Sequence, residues 1–202
     1  IKFSGSKMFV VQGGRWASQN MLPGYVMMYE NNTWTNLDPA DIKLKTTYDA
    51  LDFMNVAVDP LDNKHFFVTS YGTGLYEFTD NVFSKWHNIS NSTIETVLVD
   101  APNNYMRLDG AIFDKDGNLF LTNSGVSGSV KVLLKNDISL VTVSLGENGL
   151  LQSDENGVTT RSGVFASGDV VTGARTVVEA VAFSKRVANS IEEFISKLPP
   201  KT

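Results

Sequence analysis

Residues 59–83 read DPLDNKHFFVTSYGTGLYEFTDNVF. A short run of aromatic and β-branched residues, His65-Phe66-Phe67-Val68-Thr69, stops at Gly72. A second run, Gly74-Leu75-Tyr76-Glu77-Phe78, follows at once. Such residues suit a pleated, half-buried surface, and Gly, Asn and Asp supply the turns between them. The stretch therefore predicts consecutive short antiparallel strands. The same pattern extends outward in both directions. Met8-Phe9-Val10-Val11 runs into Gly13-Gly14, Tyr25-Val26-Met27-Met28-Tyr29 leads through Asn31-Asn32 to Thr33-Trp34, and Leu119-Phe120-Leu121-Thr122 follows Asp116-Gly117-Asn118. Asp-Gly marks a hairpin because Gly accepts the positive φ that such turns need.

The pattern repeats. Tyr29-Glu30-Asn31-Asn32-Thr33-Trp34 aligns with Phe78-Thr79-Asp80-Asn81-Val82-Phe83 at an offset of 49, Val56–Asp59 with Ala111–Asp114 at 55, and Val68–Ser70 with Leu121–Asn123 at 53. Several short strands recurring at a period of about 50 residues predict β-propeller-like blades. One four-stranded blade cannot cover both its own faces, so blades stack. Residues 1–130 are expected to hold about two and a half of them, fewer than the roughly four that a closed propeller needs, and so to leave strand edges open. The runs at 59–83 and 107–126, the latter RLDGAIFDKDGNLFLTNSGV, resemble blades of large bacterial surface propellers. The groups in question are the propeller component of the type IX secretion apparatus and the sensor propellers of hybrid two-component regulators. The resemblance spans about residues 5–133. It implies a binding or scaffolding surface, with a protein or a surface glycan or lipid as partner, rather than an active site.

Aromatic content then collapses. Of 12 Phe, 6 Tyr and 3 Trp, only Phe165, Phe183 and Phe194 lie beyond residue 130. This places a seam near residue 131 and a second segment, 131–202, of different character. Ile138–Leu145 has a buried-strand pattern, Asp154-Glu155-Asn156-Gly157 is a hairpin turn, and Gly163–Asp169 is a short apolar strand ending in Gly-Asp. After Thr172-Gly173 a helix is expected to run to Pro199-Pro200. Its apolar positions Val177, Val181, Val187, Ala188, Ile191, Ile195 and Leu198 recur at helical spacing and predict the buried face. The expected fold is therefore mixed: mainly β, with partial propeller-like blades, followed by a small α/β segment with one long C-terminal helix.

Residues 149–195, GLLQSDENGVTTRSGVFASGDVVTGARTVVEAVAFSKRVANSIEEFI, are similar to the C-terminal end of the FAD domain of glutamate-synthase small-subunit and thioredoxin-reductase-like oxidoreductases. The resemblance implies that Gly168 and Asp169 lie at the ribityl and pyrophosphate side of FAD. It places Thr176 and Val177 near the isoalloxazine, with Gly173 allowing close backbone approach. The start of a helix favours an anionic reduced flavin. The same family holds the ADP half on a Gly-x-Gly-x-x-Gly turn, and this sequence has none. Gly72-Thr73-Gly74 has only two of the glycines, and Gly125-Val126-Ser127-Gly128 has the wrong spacing. FAD is thus implied by resemblance, but this chain alone is not expected to hold it.

Other patterns exclude more than they assign. A net charge of −5 without a basic run argues against nucleic acid. No stretch reaches the ~20 apolar residues of a membrane span, and the absence of Cys removes thiolate chemistry. His65 and His87, in strand-like stretches, read as structural, and no metal site is expected. Asp114-Lys115-Asp116-Gly117 reads as a hairpin rather than a calcium loop. Trp16, Trp34, Tyr71 and Trp86 could stack on sugars or lipid headgroups or pack a core, with the core favoured. No catalytic residue stands out. The chain opens on Ile-Lys-Phe and reads as an excised piece, and the junction at Val130 to Asn136 lacks linker character.

Two readings stay open. One is a non-catalytic β-rich binding or scaffold fragment with a flavin-domain remnant appended. The other is a fragment of an FAD-dependent NAD(P)H oxidoreductase that needs missing sequence or a partner chain. A chain joining pieces of two proteins would cover both. Catalysis by this chain alone is disfavoured, and the compartment is left open, because surface propellers are exported and the flavin family is cytoplasmic.

Overall fold

The computed structural model describes residues 1–12, 20–135, 140–142, 150–160 and 162–198. They fall into two compact units, Ile1–Val143 and Ser144–Thr202. The first contains three four-stranded antiparallel sheets, each a meander in which consecutive strands pair. Sheet 1 comprises β1 (Lys2–Ser4), β2 (Lys7–Val11), β3 (Val26–Glu30) and β4 (Thr33–Leu37). Sheet 2 comprises β5 (Phe53–Asp59), β6 (Asp62–Ser70), β7 (Gly74–Thr79) and β8 (Val82–His87). Sheet 3 comprises β9 (Leu108–Phe113), β10 (Leu119–Asn123), β11 (Val130–Leu133) and β12 (Leu140–Thr142). The fold is mainly β, and a long C-terminal helix follows the sheets.

Each aligned repeat falls on an equivalent position. Asn31-Asn32 turns β3 into β4 and Asp80-Asn81 turns β7 into β8, all four with φ between 50° and 61°. Two consecutive left-handed residues make the hairpin turn whose twist matches its strands, and Asn and Asp tolerate it best after Gly. Asp59 ends the first strand of sheet 2 and Asp114 directly follows the first strand of sheet 3, and their carboxylates accept backbone N–H groups of the following turn. Asp114 also accepts from the Asn118 side chain at 2.7 Å. Both its oxygens are used inside the hairpin.

Sheet 3 runs past residue 131, where the aromatics stop. Its outer strands use aliphatic residues instead, so the segment holds three full meanders rather than two and a half. Of the expected strand Ile138–Leu145, Leu140–Thr142 pairs with β11, and the remainder lies outside the described residues.

Alternation along sheet 2 builds two cores. Val56, Val58, Phe66, Val68, Tyr76, Phe78 and Phe83 pack with Phe9, Val11, Val26 and Met28 of sheet 1. From the opposite face Ala57, Phe67 and Leu75 pack with Leu108, Ala111, Leu119, Leu121 and Leu140 of sheet 3. The connections plug the margins. Helix α1 (Pro39–Thr46) starts at the Asp38 cap with Pro39 in its first turn and seats Ile42 in the first core. The 88–107 connection puts Ile94 and Met106 into the second core. It is clamped by the buried Asn123, whose side chain accepts from Glu95 N at 2.8 Å and donates to the carbonyls of Glu95 and Met106. Lys131, buried, reaches the Glu95 carboxylate at 2.9 Å.

In the second unit the Asp154–Gly157 turn closes as expected, with Gly157 N donating to Asp154 O at 3.1 Å. Gly163–Asp169 does not form the expected strand. Only Phe165 bridges to Val158, and Asp169–Thr172 makes a single helical turn, α2. The long helix α3 spans Val177–Ser196; Pro199 and Pro200 lie outside the described residues. Its buried face is Phe183 and Val187, with Phe194 against Phe165 at 5.7 Å. Of the stripe expected to be buried, only Val187 is; Val177, Val181, Ala188, Ile191, Ile195 and Leu198 are exposed. The 150–166 segment offers too little apolar surface to cover more than one side.

Phe66→Ala and Phe67→Ala remove rings from opposite faces of one strand. Each should lower the unfolding free energy in a urea titration by about 3–5 kcal/mol. Gly74→Ala should also destabilise, because φ is +104° there and a Cβ would lie 2.6 Å from the His87 carbonyl oxygen.

Candidate functional site

The residues matched to a flavin site lie around the start of α3. Gly168 (φ 78°) precedes α2 and Gly173 (φ 69°) ends it, its N–H donating to the Asp169 carbonyl at 3.0 Å. A Cβ on Gly168 would meet nothing within 4 Å, so the backbone is open to close approach. Thr176 caps α3 in a reciprocal box: its hydroxyl accepts from Glu179 N at 3.3 Å, and Glu179 accepts from Thr176 N at 3.1 Å. By helix geometry the N–H groups of Val177 and Val178 have no partner inside the helix.

A groove of about 570 Å³ along α3 is lined by Asp169, Arg175, Val177, Val181, Lys185 and Ala188 among others. It brings Asp169 and Val177 together; Gly168, Gly173 and Thr176 are not among its lining residues. An apolar floor with flanking charges suits one edge of a flat amphipathic ring. Against this, Glu179 already sets a carboxylate at the helix start, held below the usual range by the Thr176 hydroxyl. The positive end of the helix is thereby partly met from within. With no Gly-x-Gly-x-x-Gly turn in the sequence, the residues fit the flavin edge in kind and supply nothing for the ADP half.

The first unit holds a cluster that residue type alone did not flag. Asp59, His65, Glu77 and His87 come from four successive strands and share the face of sheet 2 that packs on sheet 3. Glu77 bridges the two imidazoles, with Oε1 at 3.1 Å from His65 Nε2 and Oε2 at 2.8 Å from His87 Nε2. His65 Nδ1 lies 2.9 Å from Asp59 Oδ2. The hydrogen bond to Glu77 raises His65 to about 9, against the opposing effect of burial and with help from Asp59. Burial pushes Glu77 up, but the bonds from His65 and His87 outweigh it and bring the carboxyl down to about 2.

These groups line a cavity of about 260 Å³, with Phe67 and Lys85 on their own sheet and Phe113, Leu119 and Leu133 opposite. A carboxylate with both oxygens committed to imidazoles is a strut, not a base awaiting a substrate. Among the described residues no group of three or more His, Asp or Glu is arranged to hold a metal ion. Both histidines lie in strands, His65 in β6 and His87 in β8. The signal for their association was parity: His65 shares its strand face with Phe67, and His87 opposes Leu75 in the ladder.

The aromatic candidates separate. Trp86 is half-buried, donating to the Thr73 carbonyl at 2.6 Å and stacking on Tyr76. Tyr71 lies under the Arg107 guanidinium. Trp34 is exposed beside Tyr29, and Trp16 lies outside the described residues.

No protein-family model matches the chain. Over 54 residues, 26% of this chain, it is 46% identical to the NADP(+)-dependent formate dehydrogenase subunit beta of Moorella thermoacetica, and that stretch is 8% of the relative. Among solved structures it is similar to PorZ, an essential bacterial surface component of the type-IX secretion system of Porphyromonas gingivalis. The TM-score is 0.65 at 22% identity, over 82% of this chain and 20% of PorZ. That likeness concerns the fold. The chain spans a small part of either relative. The two resemblances read from the sequence, to a component of the type IX secretion apparatus and to an oxidoreductase, thus each have a counterpart among these proteins.

The ion network has a defined pH window. His65 is raised from 6.5 to about 9, so its contribution is full below 6.5 and lost as pH rises through about 9. Glu77 is lowered from 4.5 to about 2, so its contribution is present above 4.5 and lost as pH falls toward about 2. In an NMR titration His65 should have its midpoint near 9. Glu77→Gln should move that midpoint down by more than Asp59→Asn does.

Proposed function

We propose that this chain is a non-catalytic β-rich binding or scaffold segment, with a flavin-domain remnant appended. The observation that carries the reading is the stack itself: sheet 2 is buried on both faces between two sheets of the same design. Packing of this kind makes a rigid platform. In its most polar interior cluster each carboxylate is engaged by an imidazole. PorZ, to which the fold is similar, is a surface component of a secretion system. By that analogy the partner is a protein or a glycan or lipid of the cell surface.

The second reading, a fragment of an FAD-dependent NAD(P)H oxidoreductase, is favoured by the 46% identity over 54 residues. Under it Gly168, Asp169, Gly173, Thr176 and Val177 are one edge of a flavin site completed by sequence outside this chain. On the first reading, the purified chain is colourless and added FAD keeps the fluorescence of the free cofactor. Yellow protein, or quenching of added FAD that saturates at one equivalent and is lost in Asp169→Ala, would overturn it in favour of the second.

A further inference from the structure

One side chain bridges the seam between sheets 1 and 2. Lys7, 3% exposed, lies over the Phe9 ring and donates to the Asn63 carbonyl at 3.4 Å and to the Asn81 side chain. Asn63 lies at the start of β6, beside the turn from β5, and Asn81 lies in the turn from β7 to β8. The repeat gives the next seam an equivalent position. Tyr29 aligns with Phe78, and these oppose Met8 and Phe66 in their ladders, so Lys7 corresponds to His65. Each shares its strand face with a phenylalanine that packs on the following sheet, Phe9 for Lys7 and Phe67 for His65.

His65 does not repeat the bridge, because both its nitrogens turn to carboxylates of its own sheet. Between sheets 2 and 3 this level holds the cavity of about 260 Å³. On the sheet 3 side it is lined by Gly117, in the turn from β9 to β10, and Lys135, in the connection from β11 to β12. These are the counterparts of the turns that Lys7 reaches. Lys135 is held in place there. Its N–H donates to the Asn118 side chain at 3.1 Å, and its stem runs past Gly117, where an added Cβ would lie 3.0 Å from Cδ.

The chemistry of this lining is one-sided. Each carboxylate oxygen of Asp59 and Glu77 is already engaged, by His65, by His87 or by the Leu61 N–H. Lys85 lines the cavity from sheet 2 and Lys135 from sheet 3. Among the described residues, neither ammonium has an ion pair or a hydrogen bond. Donors and positive charge are therefore spare on both sides of the seam, and side-chain carboxylate oxygens are not. The walls are apolar, with Phe67 against Phe113 at 5.9 Å and Leu119 and Leu133 beside them. An apolar cavity of about 150 Å³ takes benzene, so this one has room for a ring or branched chain together with a carboxylate.

We propose that this cavity binds a small organic anion, an aromatic or branched aliphatic carboxylate, whose charged end bridges Lys85 and Lys135 and whose apolar body lies against Phe67 and Phe113. The ligand does at the second seam what Lys7 does at the first: it ties neighbouring sheets together by polar bonds across the gap. The site goes beyond the scaffold reading, and every residue it uses belongs to the first unit.

Benzoate and isovalerate, titrated in turn into the full chain, test this by calorimetry and NMR. At least one should bind saturably with one-to-one stoichiometry, shift the resonances of His65, Phe113 and Leu133 most, and raise the urea midpoint. Lys85→Met and Lys135→Met should each weaken binding by about fivefold or more. Neither lysine is buried, so both variants should keep the wild-type near-ultraviolet circular dichroism. Lys115→Met removes the same charge from the neighbouring turn, where Lys115 pairs with Asp116, and should leave the affinity nearly unchanged. No saturable binding of either acid up to about 10 mM, weaker than about nine matched non-hydrogen atoms should give, overturns the proposal. So does benzyl alcohol or inorganic phosphate binding as tightly as the acids, resonance shifts centred elsewhere on the chain, or an affinity that both cavity-lysine variants retain.

Discussion

The first unit depends on one constraint: a four-stranded sheet with apolar residues on both faces cannot cover itself. Sheet 2 carries Phe66 and Phe67 on successive positions, and the strand geometry sends them to opposite sides. Each side must then be closed by another sheet. Sheets 1 and 3 do this, while Ile42, Ile94 and Met106 from the connections fill the margins. The polar groups follow from the same arrangement. Asn123 satisfies the connection's backbone where it crosses the core, and Glu77 gives a hydrogen-bond partner to each of two imidazoles on the face that packs on sheet 3.

Turns and strand alternation were legible in the sequence because they are local. Asn31-Asn32 and Asp80-Asn81 need left-handed backbone, and few residue types adopt it. The repeat register was legible for the same reason. The end of sheet 3 was not, because aromatic residues stop after its first two strands while the architecture goes on; Leu119, Leu121 and Leu140 fill the layer facing sheet 2. The buried side of α3 was also hidden. The helix has two apolar stripes, and sequence periodicity cannot say which of them Phe165 and the 150–160 turn will meet.

The candidate sites divide along the same line. The string Gly168-Asp169 followed by a capped helix is contiguous and so could be read from the sequence, and Asp169 and Val177 line one groove. Nothing contiguous announced the His65–Glu77–His87 strut. It is assembled across three strands, and only the parity of those strands sets its members on one face. The two units also differ in completeness. The first covers its middle sheet twice over, whereas α3 in the second covers one stripe and leaves Val177, Val181 and Ile195 in water.

The meander connectivity has an evolutionary consequence. Each sheet is a contiguous run of sequence, so the strand pairing that builds it is made within that run. Every contact between sheets joins one kind of face to its complement. A duplication or deletion that removes a whole repeat leaves the surviving neighbours with matching faces, while one that cuts inside a repeat strands a half-paired sheet. Recombination in a gene of this design is therefore tolerated in quanta of one sheet.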